Sequence, residues 1–426
     1  MSWSKLSFRL QELIGRIWVR VLAFAVMGVA TALVALLLRP FIPDWMAYRL
    51  GTEAVGTMLQ IIATTMLAVT IFSLSTLVNA WTNAQQNATP RALPLIVGDS
   101  ASQTVLSTFI GAFVFSLVGI IMLQTGVYGG SGRVVVFAAT GIVVVLVIVA
   151  LMNWIEVLSD LGQIRDVLDR LEAAALRAVE NREDYPWLGG QPWTGAPPEE
   201  AEMLLTPDVG RVRHVDAGTL QSLAEQHGLT IYLDAIPGTR VHAARPVMHV
   251  VGLGEAEDRE TLMKRLMNCL TIGQTNSFEQ DPIHGIEAMT EVAQRALSPA
   301  VNDPGTARDV IQRQLRLLTR TGPVATDHEA RRPLLHVREI SAADMVRAAF
   351  APLARDAGGM FEVQSALIDA LHALTKLKPE YYGTAAAEIV ELVAYHAERS
   401  GMQPLQLDTL SKKMVHIRNR KLHTAL

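Results

Sequence analysis

The first third of the chain alternates long apolar runs with short polar breaks. Ile17 to Leu38 is apolar apart from Arg20 near its start, and Met58 to Val78, Val105 to Leu123 and Val134 to Trp154 repeat the pattern. At 1.5 Å per helical residue, runs of this length suit a hydrocarbon core roughly 30 Å thick. They predict an α-helical transmembrane bundle of four spans within residues 1–154. The period then changes. Ile155, Leu158, Leu161, Ile164, Leu168 and Leu171 recur at intervals of three and four with charged residues between them. That spacing predicts that the fourth span runs on as an amphipathic helix over 155–182.

Residues 183–208 gather Pro186, Pro192, Pro197, Pro198 and Pro207 with several glycines, which reads as a linker. A small β module follows over 209–256, with VGRVRHV, LTIYLDAI and PVMHVVG as short strands, a helix from Ala217 to His227, and a turn at Pro237-Gly238. This arrangement is distantly similar to barrel-sandwich folds of the lipoyl and biotinyl kind. Such carriers need a modifiable lysine, and no lysine occurs between Lys5 and Lys264, so covalent cofactor carriage is excluded.

Residues 257–426 predict an α-helical domain, with helices over Asp258–Leu270, Pro282–Leu297, Thr306–Thr319, Ala342–Leu353, Phe361–Leu377, Pro379–Glu398 and Leu405–His423. A further strand is expected within Leu334 to Ile340. The fold class is therefore a transmembrane helical bundle joined to an α-rich α+β C-terminal domain that contains a small β module.

Charge sharpens this division. Eight basic and four acidic residues precede Trp154, a net of +4, so the remainder carries −8 of the chain's overall −4, together with all eleven histidines. An acidic C-terminal part excludes a general nucleic-acid binder, which needs a net basic surface. Lys5, Arg9, Arg16, Arg20, Arg91, Arg165 and Arg170 fall on one side of the four-span topology, against Arg39, Arg49 and Arg133 on the other. The positive-inside rule then places both termini in the cytoplasm of a bacterial inner membrane. Cys269 is the only cysteine, so neither an intrachain disulfide nor a paired-cysteine metal site is available.

Two features bear on function. In the second run, Gln60, Thr64, Ala68, Ile71, Ser75 and Asn79 share one helical face that is mostly polar or small, and it continues to Asn83 and Gln86. Facing lipid such a row is costly. It either lines a weakly selective pore, with Gln60, Thr64, Ser75 and Asn79 as the lining and a homo-oligomer as the frame, or it is interhelical glue.

The second feature is the segment from Asp281 to Ala307. Asp281-Pro282 opens a helix, Ser298-Pro299 closes it, Asn302-Asp303 offers oxygens to backbone amides, Pro304-Gly305 turns, and Thr306 starts the next helix. Asp281, Ser298, Asn302, Asp303 and Thr306 are thus either architecture or a ligand loop folded back over His284, Glu287 and Glu291. A metal hydrolase would need a second histidine at helical spacing, and none is present. No nucleophile–base pair or phosphate loop appears either, so no catalytic, metal or cofactor-binding residue is assigned and an enzyme is not expected.

Asp281, Gly285, Arg295, Ala296, Leu297, Ser298, Pro299, Asn302, Asp303, Pro304, Thr306 and Ala307, with the phrase Thr104 to Leu123, resemble a domain-of-unknown-function family of bacterial predicted membrane proteins. That family shows D-x-x-x-G followed by R-A-L-S-P-x-x-N-D-P-x-T-A. The chain departs from it at Gly305, where a bulkier residue is common, and at His284, often an aromatic. The resemblance implies an inner-membrane protein with a cytoplasmic C-terminal domain, and it carries no mechanism. The leading expectation is a homo-oligomeric channel or transporter with a cytoplasmic regulatory domain. The alternative is a membrane-anchored sensor or scaffold. A basic amphipathic stretch at Leu407, Leu410, Met414 and Ile417 adds anionic lipid as a possible partner.

Overall fold

The computed structural model describes residues 17–38, 52–97, 100–125, 129–160, 163–255, 258–323 and 329–421. Lys5, Arg9, Arg16, Arg39, Arg49 and the predicted last helix beyond Lys421 lie outside the described residues. The chain divides into two compact units, residues 1–86 with 90–167, and residues 87–89 with 168–426.

The membrane unit holds α1 (Ile17–Leu38), α2 (Thr52–Asn87), a short α3 (Leu93–Val97), α4 (Ser100–Gln124) and α5 (Gly129–Asp160). Among the described residues three helices are long and apolar enough to cross a membrane, within Ala54–Gln86, Ala101–Gln124 and Arg133–Ser159. The apolar part of α1 is a shorter stretch, Val21–Ala35.

Glycines set the packing in this unit. Phe24 of α1 lies so close to Gly111 of α4 that any Cβ there would collide with its ring, and Leu59 of α2 sits where a Cβ on Gly119 would be 3.0 Å from its Cδ1. The core is built around Leu59, Leu77, Phe109, Phe115 and Val143.

α5 runs to Asp160 and α6 spans Ile164–Asp184, and the join over which the fourth span was expected to run on falls at residues 161–162, outside the described residues. The C-terminal unit takes up the apolar stripe of α6, burying Leu168, Leu171, Ala174, Ala175, Ala178 and Val179.

The stretch expected as a linker is different. It contains β1 (Gln191–Trp193) and β2 (Glu202–Leu205). After them come β3 (Gly210–Val215), α7 (Ala217–His227), β4 (Thr230–Leu233), β5 (Arg240–Val241), β6 (Pro246–Val251), α8 (Arg259–Met267) and β7 (Leu270–Gly273). Then follow α9 (Pro282–Ala296), α10 (Pro304–Arg320), β8 (Leu335–Arg338), α11 (Ala342–Asp356), α12 (Phe361–Leu377), α13 (Pro379–Arg399) and α14 (Pro404–Lys421).

One sheet has the order β1-β8-β4-β6-β2 and the other β5-β3-β7. β8 runs parallel to both β1 and β4, whereas β4, β6 and β2 are antiparallel. Strands from three of the expected segments therefore share one mixed sheet, which replaces both the separate module over 209–256 and the barrel-sandwich likeness. β1 and β2 are the sheet edges, where a proline such as Pro192, which cannot donate to the ladder, is tolerated. α7 covers the core through Leu220, Leu223 and Ala224, packed with Ile231, Leu233 and Val250. Burial pushes the Cys269 thiol up to about 11, which keeps it protonated and unreactive.

The remaining helices pack on one another, α9 against α10 and α11, α13 against α11 and α12, and α14 against α12 and α13. Leu410, Met414 and Ile417 of α14 are buried. Lys413 pairs with Asp369 at 2.8 Å and Arg418 with Glu391 at 2.8 Å. The stripe that suggested a lipid-facing helix is thus packed in the C-terminal unit, and three of its basic residues, Lys412 with Asp408 included, hold carboxylates.

Candidate functional site

Three places in the chain carry unusual polar chemistry. On α2, the inner face buries Val55, Leu59, Ala63, Met66, Ser73, Leu77, Ala80 and Ala84 at intervals of three and four or their sums. Gln60, Thr64, Ser75 and Asn79 are all exposed, as are Asn83 and Gln86 further along the same row. The Thr64 hydroxyl donates to Gln60 O and the Ser75 hydroxyl donates to Ile71 O at 3.0 Å, so both are satisfied within their own helix. Among the described residues no helix of the same chain covers this row. On α5, by contrast, every exposed residue between Val134 and Met152 is apolar or glycine, including Ile142, Val145, Leu146 and Ile148.

The second place is the segment Asp281 to Ala307. Asp281 caps α9, its carboxylate accepting from Ile283 N at 3.0 Å and from Asn276 Nδ2 at 2.7 Å. Gly238, at φ 92 in the Ile236–Thr239 turn, leaves room for that carboxylate where any side chain would collide with it. Burial pushes the Asp281 carboxyl up to about 6, against the opposing hydrogen bonds from Asn276, His284 and Ile283. Gly285 fits against α6, where an added Cβ would stand 2.5 Å from the Ala175 Cβ. His284 is buried against the Phe278 ring, 4.3 Å between centroids.

At the other end of α9, the Ser298 hydroxyl donates to Arg295 O at 2.6 Å, and Asp303 N donates back to Ala296 O at 2.8 Å. Asn302 takes φ 50, a left-handed conformation that asparagine tolerates. Asp303 caps α10, accepting from Thr306 N at 3.0 Å and Thr306 Oγ1 at 2.6 Å, and these bonds hold its carboxyl below the usual range. Pro304-Gly305 lies inside the first turn of α10 rather than forming a separate turn. Asp281 and Asp303 therefore sit at opposite ends of a 15-residue helix, about 22 Å apart along its axis. The loop is not folded over His284 and Glu287. Among the described residues no group of three or more His, Cys, Asp or Glu is placed to hold a metal ion.

The third place was not singled out by sequence. A cavity of about 320 Å³ lies within the C-terminal unit, between the end of α6, the 185–188 loop, the start of α7, the Ile236-Pro237 turn and β8. Trp187 and Leu188 hold φ 48 and 59, a strained choice for two bulky residues, and it sets both side chains along the wall. Arg182 Nη2 donates to Ile340 O at 2.8 Å and Arg332 Nη1 donates to Leu188 O. Burial pulls the Arg182 guanidinium below its ordinary value, more than nearby Tyr381, Glu339, Asp281 and Asp344 raise it. No periodic pattern joins these residues, because they come from segments roughly 150 positions apart and meet only when β8 enters the sheet.

Residues 15–373 match the model of a family described as predicted membrane protein (DUF2254). The chain belongs to this family. The expected resemblance is thereby established over most of the chain, and the joint of α9 and α10 gives the family's signature residues a physical role. Among curated relatives, an uncharacterised protein of Mycobacterium bovis is 28% identical over 268 residues, covering 61% of this chain and 50% of the relative. An uncharacterised Mycobacterium tuberculosis protein matches to the same extent, 28% over 268 residues. The chain thus spans about half the length of the curated relatives it matches. No solved structure matches.

Proposed function

We propose that this family member assembles with copies of itself in the bacterial inner membrane and that its α2 helices line a polar path across it, gated by the C-terminal unit. The observation that supports this reading is the exposure of Gln60, Thr64, Ser75 and Asn79 on a membrane helix whose other face is already packed. The Thr64 and Ser75 hydroxyls are closed on their own helix, so the cost of facing hydrocarbon falls on the Gln60 and Asn79 amides, for which lipid is the wrong neighbour. A second copy or water satisfies them. The path is lined by uncharged groups and is weakly ion-selective. In this reading α1 completes four spans, both termini are cytoplasmic, and no catalytic step is involved.

The test is reconstitution of the purified full chain in planar bilayers and proteoliposomes. Conductance or solute flux is expected, and Thr64→Phe with Ser75→Phe is expected to abolish it while the protein stays inserted. Electrically silent bilayers with no solute flux from folded, inserted protein would overturn conduction. The α2 row would then be a seam between copies in a membrane-anchored sensor, the reading that the ligand-sized cavity of the C-terminal unit favours.

A further inference from the structure

The cavity of the C-terminal unit combines two features that rarely coincide without a ligand. Its volume, about 320 Å³, is at the lower end of the range for small-molecule sites. Tyr185, Trp187, Ile236 and Pro237 supply flat or apolar wall, and Arg182 and Arg332 supply charge. Each guanidinium has five N–H donors. Among the described residues the protein acceptors of these two are single backbone carbonyls, Ile340 O and Leu188 O, and neither arginine stands in an ion pair. Glu339, Asp281 and Asp344 lie near Arg182 and favour its charge, but burial outweighs them and none pairs with it, so two half-buried guanidinia on one wall without an ion-pair partner are costly.

The other charges on the wall do not cancel them. Arg338 is engaged by Asp234 and lies over the Trp193 ring, 4.5 Å from its centroid. Asp216 caps α7, accepting from Thr219 N at 3.0 Å and Thr219 Oγ1 at 2.7 Å. Gln280 is held by the Val215 backbone, accepting at 2.9 Å and donating at 3.3 Å.

We infer that this cavity binds a small molecule with a flat apolar body and one acidic group, a carboxylate or a phosphate. The acid is held between Arg182 and Arg332, where a planar guanidinium donates two parallel hydrogen bonds to such an anion. The body lies against Trp187, Tyr185 and the Ile236-Pro237 turn. Binding is independent of conduction and is read separately from it.

The test is equilibrium dialysis of the full-length protein in detergent against four probes: 1-naphthyl phosphate, 1-naphthoate, uncharged 1-naphthol and inorganic phosphate, each corrected for protein-free micelles. One or both naphthyl anions are expected to bind saturably with one site per chain, and at least roughly tenfold more tightly than 1-naphthol or inorganic phosphate. Which of the two binds tighter distinguishes a phosphate from a carboxylate ligand. Arg332→Gln is expected to weaken the better probe by roughly tenfold, with partial recovery in Arg332→Lys.

Gly218→Leu keeps both arginines. A Cβ at this position meets only ordinary contacts, 3.6 Å from Asp216 Oδ1 and 4.0 Å from Arg332 Nη2, so a side chain can start here without strain and a leucine occupies cavity space. It is expected to abolish binding while leaving the thermal midpoint unchanged. No saturable binding of either naphthyl anion, or equal binding by the wild type and folded Gly218→Leu, would overturn the inference.

Discussion

The outer face of α2 and the joint between α9 and α10 are both rich in Ser, Thr, Asn, Asp and Gln, and they use those residues in opposite ways. At the joint, the side chains of Asp281, Ser298, Asp303 and Thr306 bond to residues no more than five positions away, and they fix how one helix ends and the next begins. On α2 the hydroxyls of Thr64 and Ser75 are turned back onto their own helix, and the row remains exposed. Polar groups closed within a few residues are architecture. Under the proposed function, polar groups left on the outside of a packed membrane helix are an interface. α5 makes the same point from the other side, since its outer face is apolar and suits lipid directly.

The contrast predicts that changes at the joint destabilise the C-terminal unit and that changes on the α2 row leave the fold of one chain intact. Cys269 provides the readout, because a buried thiol pushed up to about 11 is alkylated only when the unit opens. The largest effect is expected for Gly285→Val, which forces side-chain atoms into Ala175 and overpacks the α6–α9 contact, costing about 3 kcal/mol in urea unfolding.

Next comes the pH dependence of Asp281. Its carboxyl is raised by burial from 3.8 to about 6, so the folded state binds the proton more tightly than the unfolded one. The contribution to stability is full below about pH 4 and is lost as pH rises through 6, by up to about 3 kcal/mol at 1.4 kcal/mol per pH unit. Asp281→Asn is expected to remove that slope between pH 4 and 7. A variant as pH-dependent as the wild type would show that Asp281 is charged at no cost.

Asp303→Ala removes the cap of α10 and is expected to cost about 1–2 kcal/mol, with Asp303→Asn recovering most of it. The smallest effect on the isolated chain is expected for Thr64→Val with Ser75→Val, within about 0.5 kcal/mol in the thermal unfolding of the membrane unit, while the oligomer seen in native mass spectrometry weakens. Loss of chain stability in this pair instead would erase the contrast between the two regions.

Much of the fold was legible where the signal is local. The apolar runs, the helices at Ala217–His227 and Phe361–Leu377, the Asp281-Pro282 cap and the strand at Leu335–Arg338 all follow from periodicity or capping chemistry. β1 and β2 were not legible. They are three- and four-residue edge strands in a proline-rich stretch, too short for alternation to show, and β1 pairs with β8 some 140 positions away. The α2 row could be read from sequence, but whether it faced its own chain required packing. Arg182 and Arg332 carry no motif, and only the fold makes them neighbours of one cavity.

The central claim, that the α2 row meets other copies or water while α5 meets lipid, is tested most directly by single cysteines in a Cys269→Ser background. Thr64→Cys and Ser75→Cys on α2 are compared with Ile142→Cys and Val145→Cys on α5, in native membranes, for labelling by a membrane-impermeant thiol reagent and for disulfides between chains. The account predicts labelling or inter-chain disulfides at 64 and 75 and neither at 142 and 145. Identical behaviour at all four positions would contradict it.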